Sequence, residues 1–398
     1  MTEMIKTVKL YDDAPYERRF SARIADLKPA DDGSVLLLTD RTLFFPEEGG
    51  QTCDKGTLGG FDVLHVSISD GYVFHKVKCD PAALRVGDEI AGVIDWSHRF
   101  SNMQNHSAEH ILSGLLHTKW DSENKGFHLS DNIVTLDTSS ELKETDIKKL
   151  EREANEVIFS NIPVTCRYYD PEELKGVEYR SKIELYDDVR LVTIPGVDVC
   201  ACCAPHVSHT GEIGIVKIIK AIRYKGGMRL TFLAGGRAYE YISLLQDMSE
   251  KISYLLSESP DKLDAAVSRL LKENEEYRIR IKNEAAAKLE KEIEAFPEDS
   301  EDAVLFTGII DNTVQRRAVN SLAEKHKGIC AVFASDGAGG YNYILSYPEG
   351  DAREISKLIN NKLPAKGGGS AEMVQGNIKA SDSEILGALN LSLDFAPR

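Results

Sequence analysis

Two pairs of metal-binding residue types, far apart in the chain, share the same four-residue spacing. His106 and His110 stand in a segment of helical periodicity, and Cys202 and His206 flank a turn that contains Pro205. Two histidines four positions apart lie on one face of a helix, so both imidazoles can reach one ion. Neutral imidazoles and a thiolate suit Zn²⁺ in softness and geometry. We therefore predict one Zn²⁺ per chain and a fold that brings both segments together.

The cysteine of this set is open to alternatives. Cys202 has the four-residue offset to His206, but Cys200 or Cys203 could replace it. The chain has seven cysteines, an odd number, which in a reducing compartment indicates metal binding or catalysis rather than disulfides. Further histidines could support the ligands from behind: His98, His128 and His209.

The first histidine pair also fits a different zinc motif. His106-x-x-Glu109-His110 matches the HxxEH pattern of inverted zinc peptidases, in which the glutamate is the general base. That chemistry needs a downstream carboxylate as third ligand, and Glu178 or Glu184 would have to supply it outside any recognisable motif. A zinc peptidase is therefore one alternative, although it leaves the Cys/His turn without a role.

Turns and hydrophobic periodicity divide the 398 residues into four predicted parts. Residues 1–92 read as short strands, for which a β-barrel avoids open sheet edges. Residues 93–237 form a predicted α/β domain with all four zinc ligands, and 238–296 a helical hairpin with a coiled-coil stripe. Residues 297–398 form a C-terminal α/β domain. The expected class is α+β multidomain, with a homodimer conceivable through the hairpin or the last domain.

Charge and hydropathy restrict the environment and partners. The net charge of −16 argues against a protein that coats nucleic acid. No apolar run is long enough for a membrane span, and the N-terminus lacks a signal-peptide core, so we expect a cytoplasmic protein. One stretch, 213–236, has no acidic residue and several basic ones. Lys217, Lys220 and Arg223 in this basic hairpin could bind nucleic-acid phosphates.

At these residues the chain resembles the editing part of alanyl-tRNA synthetase and the free-standing AlaX-type alanyl-tRNA editing proteins. The HxxxH helix of that family is similar to His106 and His110, and its Cys-Gly-Gly-Thr-His turn to Cys202–His206. Its N-terminal Phe-Tyr-Pro-Glu-Gly-Gly-Gly-Gln loop is similar to Phe44–Gln51. A glycine motif resembles the C-terminal domain shared with DHH-type phosphoesterases: Gly367, Gly368, Gly369 and Ser370.

Two departures from the family pattern stand near the metal motif. Glu48 replaces a glycine of the loop, and Cys203-Ala204-Pro205 stand where Gly-Gly-Thr is usual. The second change affects backbone contacts that the family glycines could make to substrate, but not the ligands. Because the sequence starts at the barrel, we also expect no aminoacylation activity.

The resemblance implies a zinc-dependent hydrolase that deacylates mischarged tRNA(Ala), mainly seryl-tRNA(Ala) and secondly glycyl-tRNA(Ala), at the acceptor end. A non-catalytic, zinc-stabilised tRNA-binding protein is the other alternative. Glu109 and His128 are the candidate catalytic residues, with His128 on a strand that lines the amino-acid pocket. The expected substrate and tRNA contacts are Gly49, Gly50, Gln51, Arg99, Lys217, Lys220 and Arg223.

Overall fold

The structure is a computed structural model that describes residues 6–30, 32–181 and 188–391. Glu184, one of the residues considered for a peptidase site, lies outside these ranges. Two compact units can be distinguished, Met1–Ser249 and Glu250–Arg398. The mixed α/β, multidomain class is confirmed. The predicted boundaries at 92/93 and 237/238 lie inside the first unit, so the four-part division stays a prediction.

The first unit begins with β structure. Its elements are β1 (Val8–Lys9), α1 (Leu10–Asp13), β2 (Arg19–Pro29), β3 (Val35–Thr39), β4 (Arg41–Thr42), β5 (Gly56–Leu58), β6 (Phe61–Ser69), β7 (Tyr72–Val77) and β8 (Glu89–Ile94). Six of these strands pair in the closed order β2-β3-β7-β6-β5-β8, with β8 returning antiparallel to β2. Alternating residues such as Leu37, Val66 and Val77 fill its interior.

The second half of this unit surrounds one long helix, α2 (Trp96–Trp120). It is followed by β9 (Asn124–Leu129), β10 (Val134–Thr138), α3 (Glu144–Phe159), β11 (Thr165–Tyr169), α4 (Pro171–Leu174), β12 (Val189–Ile194), β13 (Asp198–Ala201), β14 (Val216–Tyr224) and β15 (Gly227–Ala234). The strands form two sheets, β14-β15-β10-β9 and β11-β12-β13. Helix α2 contacts β9, β13 and β15, and buries Ile111, Leu112 and Leu116 in the shared core.

Two helices follow, α5 (Gly236–Leu256) and α6 (Leu263–Glu294). The helical stretch is interrupted between the two helices, at Ser257–Pro260. The antiparallel pairing of a hairpin stays a prediction. In the described residues, no helix is long and apolar enough to cross a bilayer.

The second unit contains a mixed sheet with helices on both faces. Its elements after α6 are β16 (Ala303–Thr307), α7 (Asn312–Ala323), β17 (Cys330–Ser335), β18 (Tyr341–Ser346), α8 (Ala352–Lys362), β19 (Ala365–Gly369), β20 (Met373–Ile378) and α9 (Asp382–Ala388). The strand order is β16-β17-β18-β20-β19, and only β16 and β17 pair in parallel. The glycine motif forms β19, where a Cβ on Gly367 would lie 1.9 Å from Tyr343 Oη. Glycine is required there for close packing.

Arg99 joins the start of α2 to the β structure. Its side chain is 0% exposed, and Nε donates to Asp54 Oδ1 at 2.9 Å. Nη1 donates to Pro15 O at 2.9 Å, and Nη2 donates to Leu43 O. Arg99, predicted to contact tRNA or substrate, thus has partners inside the protein at Nε, Nη1 and Nη2.

We expect Arg99→Ala to destabilise the protein by about 3–5 kcal/mol, because it leaves the Asp54 carboxylate buried without its partner. Urea unfolding measures the change. The matched control is Arg41→Ala, on an exposed arginine (52% exposed side chain), for which about 0.5 kcal/mol or less is expected. Equal stability of the two variants would show that the buried pair is dispensable.

Candidate metal centre

The four predicted ligands converge in the structure. The donor atoms of His106, His110, Cys202 and His206 all lie within 4.8 Å of one another. Cys202 Sγ is 3.6 Å from His106 Nε2 and 3.4 Å from His206 Nε2. With Zn–S bonds of about 2.3 Å and Zn–N bonds of about 2.0–2.1 Å, a tetrahedron has N···S edges of roughly 3.6 Å. The residues therefore fit a tetrahedral metal ion such as zinc.

Each of the three histidines is oriented by a polar partner behind it. Because the Nδ1 atom is engaged in every case, Nε2 is left to face the centre, as in metal sites with a supporting shell. The Nδ1 partners are Gln51 Oε1 for His106 (2.8 Å), Asp198 Oδ2 for His110 (2.8 Å) and Ser107 Oγ for His206 (3.0 Å).

These partners differ from the sequence-based expectations. Gln51, expected at the substrate, is 1% exposed and holds His106 instead. Asp198 and Ser107 were not predicted. The supporting role of Asp198 is strengthened by Arg180, whose Nε and Nη2 donate to its two oxygens at 2.8 and 2.9 Å. The sequence signal that could have identified Asp198 is the position of its carboxylate four residues before the ligand Cys202.

Burial sets the protonation of the cluster. It lowers the pKa of His206 well below its usual range, and nearby His110 and His106 lower it further, so this imidazole is neutral. Burial would raise the pKa of Asp198, but hydrogen bonds from His110 and Arg180 lower it overall. Burial raises the pKa of the Cys202 thiol. Metal binding must therefore displace the thiol proton.

Arg190 fixes the turn that carries Cys202. The arginine is buried, and its Nη1 donates to Cys202 O at 3.0 Å and to Ala204 O at 2.9 Å. The turn thus keeps its shape without the family glycines. The donor atoms of Cys200, His110 and Asp198 form a second group within 4.8 Å of one another. In this group Asp198 is hydrogen-bonded to His110 Nδ1, so these two residues do not both have a donor atom available for a metal ion between them.

A cavity of about 480 Å³ opens beside the ligands. Glu109 lies in its wall and is buried, with its Oε1 accepting hydrogen bonds from Ser113 Oγ and from Asn124 Nδ2 (2.6 Å). The volume is in the range of small-molecule sites. Besides His106, His110 and Cys202, its wall includes Glu48, Gly49, Glu109, Phe127, Tyr168 and Cys203.

His128 is not part of this cavity. Its side chain is exposed, while the preceding Phe127 lines the cavity with its ring centroid 4.7 Å from that of His106. Adjacent residues of β9 point to opposite faces, so only one of the two can face the metal helix. The structure thus places Phe127, rather than the predicted His128, in the wall of this cavity.

The glycine loop docks on β9. Gly50 has φ +83°, its carbonyl accepts from Leu129 N at 2.7 Å, and a Cβ on it would lie 2.3 Å from Phe127 O. Gly50 therefore serves this close approach of two backbones, and its contact with a substrate stays a prediction. Gly49, by contrast, does line the cavity.

The basic hairpin β14–β15 meets acidic residues from other elements. Lys217 pairs with Glu151 at 2.8 Å and Arg223 with Glu141 at 3.1 Å. Lys220 is exposed. The hairpin is therefore less positive than its own sequence indicates, and its role in RNA binding stays a prediction.

Comparisons with known proteins point to the family that the sequence motifs resemble. Two family models match: "Threonyl and Alanyl tRNA synthetase second additional domain" over residues 189–230 and "tRNA synthetases class II (A)" over 11–98. Alanyl-tRNA editing protein AlaX-L of Pyrococcus horikoshii is 27% identical over 95% of this chain and 96% of its own length. Alanyl-tRNA editing protein Aarsd1 of Danio rerio is 28% identical over 87% of this chain and 86% of its own.

The chain resembles AlaX-type alanyl-tRNA editing proteins. Alanine–tRNA ligase of Methanococcus maripaludis is also similar, at 29% identity over 96% of this chain, but the match spans only 43% of the ligase. The resemblance to AlaX-type proteins thus extends over nearly the whole length of both chains, and the metal cluster lies inside it.

We expect purified protein to contain one zinc per chain and Cys202→Ala to lose most of it, because the tetrahedron loses its thiolate. Elemental analysis after gel filtration measures the ratio. Cys200→Ala is the matched control and should keep its zinc. If Cys200→Ala loses zinc and Cys202→Ala keeps it, the ligand assignment is wrong.

We expect Asp198→Asn to weaken zinc binding about 10- to 100-fold, because His110 loses the carboxylate that orients its ring and increases its basicity. Competition with a chromophoric chelator gives the affinity. Asp137→Asn, which removes a carboxylate paired with Arg229 outside the cluster, is the control. An unchanged affinity in Asp198→Asn would contradict the supporting role.

Proposed function

We propose that this protein hydrolyses the aminoacyl ester of mischarged tRNA(Ala), with seryl-tRNA(Ala) as the main substrate and glycyl-tRNA(Ala) as a second. The observation that carries the proposal is the His₃Cys cluster, three of whose residues (His106, His110 and Cys202) line a cavity of about 480 Å³ together with a buried glutamate. The matches to two proteins named as alanyl-tRNA editing proteins extend over most of the length of both chains, which supports the same substrate class.

A second hydrolytic site answers a physical limit of amino-acid selection. A pocket that accepts alanine cannot strongly reject serine, because a hydrophobic site discriminates against an added hydroxyl by only about a hundredfold. Glycine lacks one methyl group, a difference of roughly 1–3 kcal/mol. Hydrolysis of the wrong ester in a separate cavity removes both errors.

The residues in and beside the cavity would have different roles in ester hydrolysis. His106, His110, Cys202 and His206 would hold zinc, which would act as a Lewis acid at the ester where one ligand yields to the substrate, or would position the substrate where all four stay bound. Glu109 is our candidate for the base that takes the proton from the attacking water, since its carboxylate lies in the cavity wall and is held there by hydrogen bonds from Ser113 and Asn124. Phe127 covers the His106 ring and excludes water from that side.

The peptidase alternative lacks its third ligand. In the described residues, the group that completes His106 and His110 consists of Cys202 and His206, and Glu178 is not in it. The non-catalytic alternative shares the zinc site and differs only in activity. For the tRNA, we propose that the acceptor end is bound mainly through its phosphates, with exposed Lys220 as one contact.

The test is deacylation of seryl-, glycyl- and alanyl-tRNA(Ala) by the zinc-loaded protein, with a peptide as control substrate. We expect hydrolysis of the seryl ester, less of the glycyl ester, and none of alanyl ester or peptide. Binding of tRNA without hydrolysis would support the non-catalytic alternative, and peptide cleavage the peptidase.

Replacing Glu109 by Gln should lower kcat for seryl-tRNA(Ala) by about 10²- to 10⁴-fold, because the proton acceptor is lost while the side-chain shape remains. Zinc content should stay at one per chain. The matched control is Glu123→Gln, on the same cavity wall but paired with His117 at 2.6 Å. Full activity of Glu109→Gln would exclude Glu109 as the base.

A further inference from the structure

Glu48 is a carboxylate in the cavity wall with an unsatisfied oxygen. Its Oε2 is buried and has no hydrogen-bond partner, although the side chain faces the same cavity as His106 and Cys202. Buried polar atoms in native proteins are nearly always bonded, and an exception requires an explanation. A bound ligand that donates a hydrogen bond to Glu48 Oε2 would explain this exception.

The other charged groups of the cavity have partners or are solvated. Glu109 accepts from Ser113 and Asn124, Glu123 pairs with His117, and Arg180 pairs with Asp198. Asp188 is exposed. Lys9 shares the cavity wall but gives no hydrogen bond to Glu48 Oε2. Among the described residues of this wall, two buried acceptors are without a partner, Glu48 Oε2 and Asn124 Oδ1. Of the two, Glu48 carries the negative charge that favours a cationic donor.

The position of Glu48 is held by its backbone. Glu48 N donates to Gln51 O at 3.3 Å and Gln51 N donates to Glu48 O at 3.0 Å, while Gln51 itself binds the metal ligand His106. Glu48 also interacts with the Cys203 side chain. Glu48 is thus connected to the ligand His106 through Gln51, and its side chain interacts with Cys203, the residue after the ligand Cys202. Glu48 stands where the resembling family has a glycine.

We propose that Glu48 binds the α-ammonium group of the aminoacyl ester, so that the substrate class is aminoacyl-tRNA with a free amino group and not N-acylated tRNA. This inference rests on the proposed function. Every aminoacyl ester carries the ammonium, so Glu48 selects this class rather than one side chain. A charge-assisted hydrogen bond to a carboxylate away from water is strong and directional.

The test compares seryl-tRNA(Ala) with N-acetylseryl-tRNA(Ala), which lacks the positive charge. Wild-type protein should prefer the free amine. Glu48→Gln should lower kcat/KM for seryl-tRNA(Ala) by roughly 10- to 100-fold and leave the N-acetyl ester unchanged, so that the preference is lost. The control is Glu47→Gln, on the exposed neighbouring glutamate, which should keep it. Zinc content reports that the variants fold.

Equal losses on both esters, or no loss, would overturn the ammonium site. A binding measurement separates this from failure of the proposed function. The probe is 3′-serylamino-3′-deoxyadenosine, a stable amide, against the analogue with a hydroxyl in place of its amine, by calorimetry. Amine-dependent binding that Glu48→Gln removes supports the site even if no ester is hydrolysed. Hydrolysis without any effect of Glu48→Gln removes the site and leaves the function.

Discussion

The His106 imidazole connects three segments that the chain order keeps apart. Its Nδ1 is bound by Gln51 from the glycine loop, its ring belongs to α2, and its Nε2 faces Cys202 of the turn after β13. The geometry of the cluster therefore depends on where the loop sits on α2. That position is set by Gly50 against β9 and by Arg99 at the start of the same helix.

The three imidazoles of the cluster lie in contact with one another in a buried site. Burial, together with the nearby His110 and His106 rings, holds the pKa of His206 well below its usual range, so this ring is neutral. Asp198 provides negative charge behind His110, and Arg180 balances that charge with two hydrogen bonds. The hydrogen bonds behind the rings therefore fix the ligands before an ion binds, and ligands fixed in advance bind it with less ordering cost.

The metal ligands could be predicted from their local spacing in the sequence. The other features of the site could not, because they depend on tertiary contacts. His106 and His110 share a helical face in any α-helix, so their convergence follows from the chain alone. Phe127 rather than His128 lines the cavity because strand register decides which face a residue takes, and the sequence does not show that register. The buried role of Arg99 and the neutralised Lys217 depend on partners from distant segments, Asp54 and Glu151, which no local pattern reveals.

The two departures from the family pattern, Glu48 and Cys203, occupy the same corner of the cavity. Arg190 holds the turn through the carbonyls of Cys202 and Ala204, so side chains are tolerated where glycines are usual. Each side chain takes space from the cavity and alters the surroundings of the other, since the Glu48 carboxylate, after burial, is the main influence that raises the pKa of the Cys203 thiol to about 12. Residues in such contact act as a unit, so changes at these two positions are non-additive. The shape of this corner is therefore a joint property of the loop and the turn, and it is where this chain differs physically from proteins with glycine at both positions.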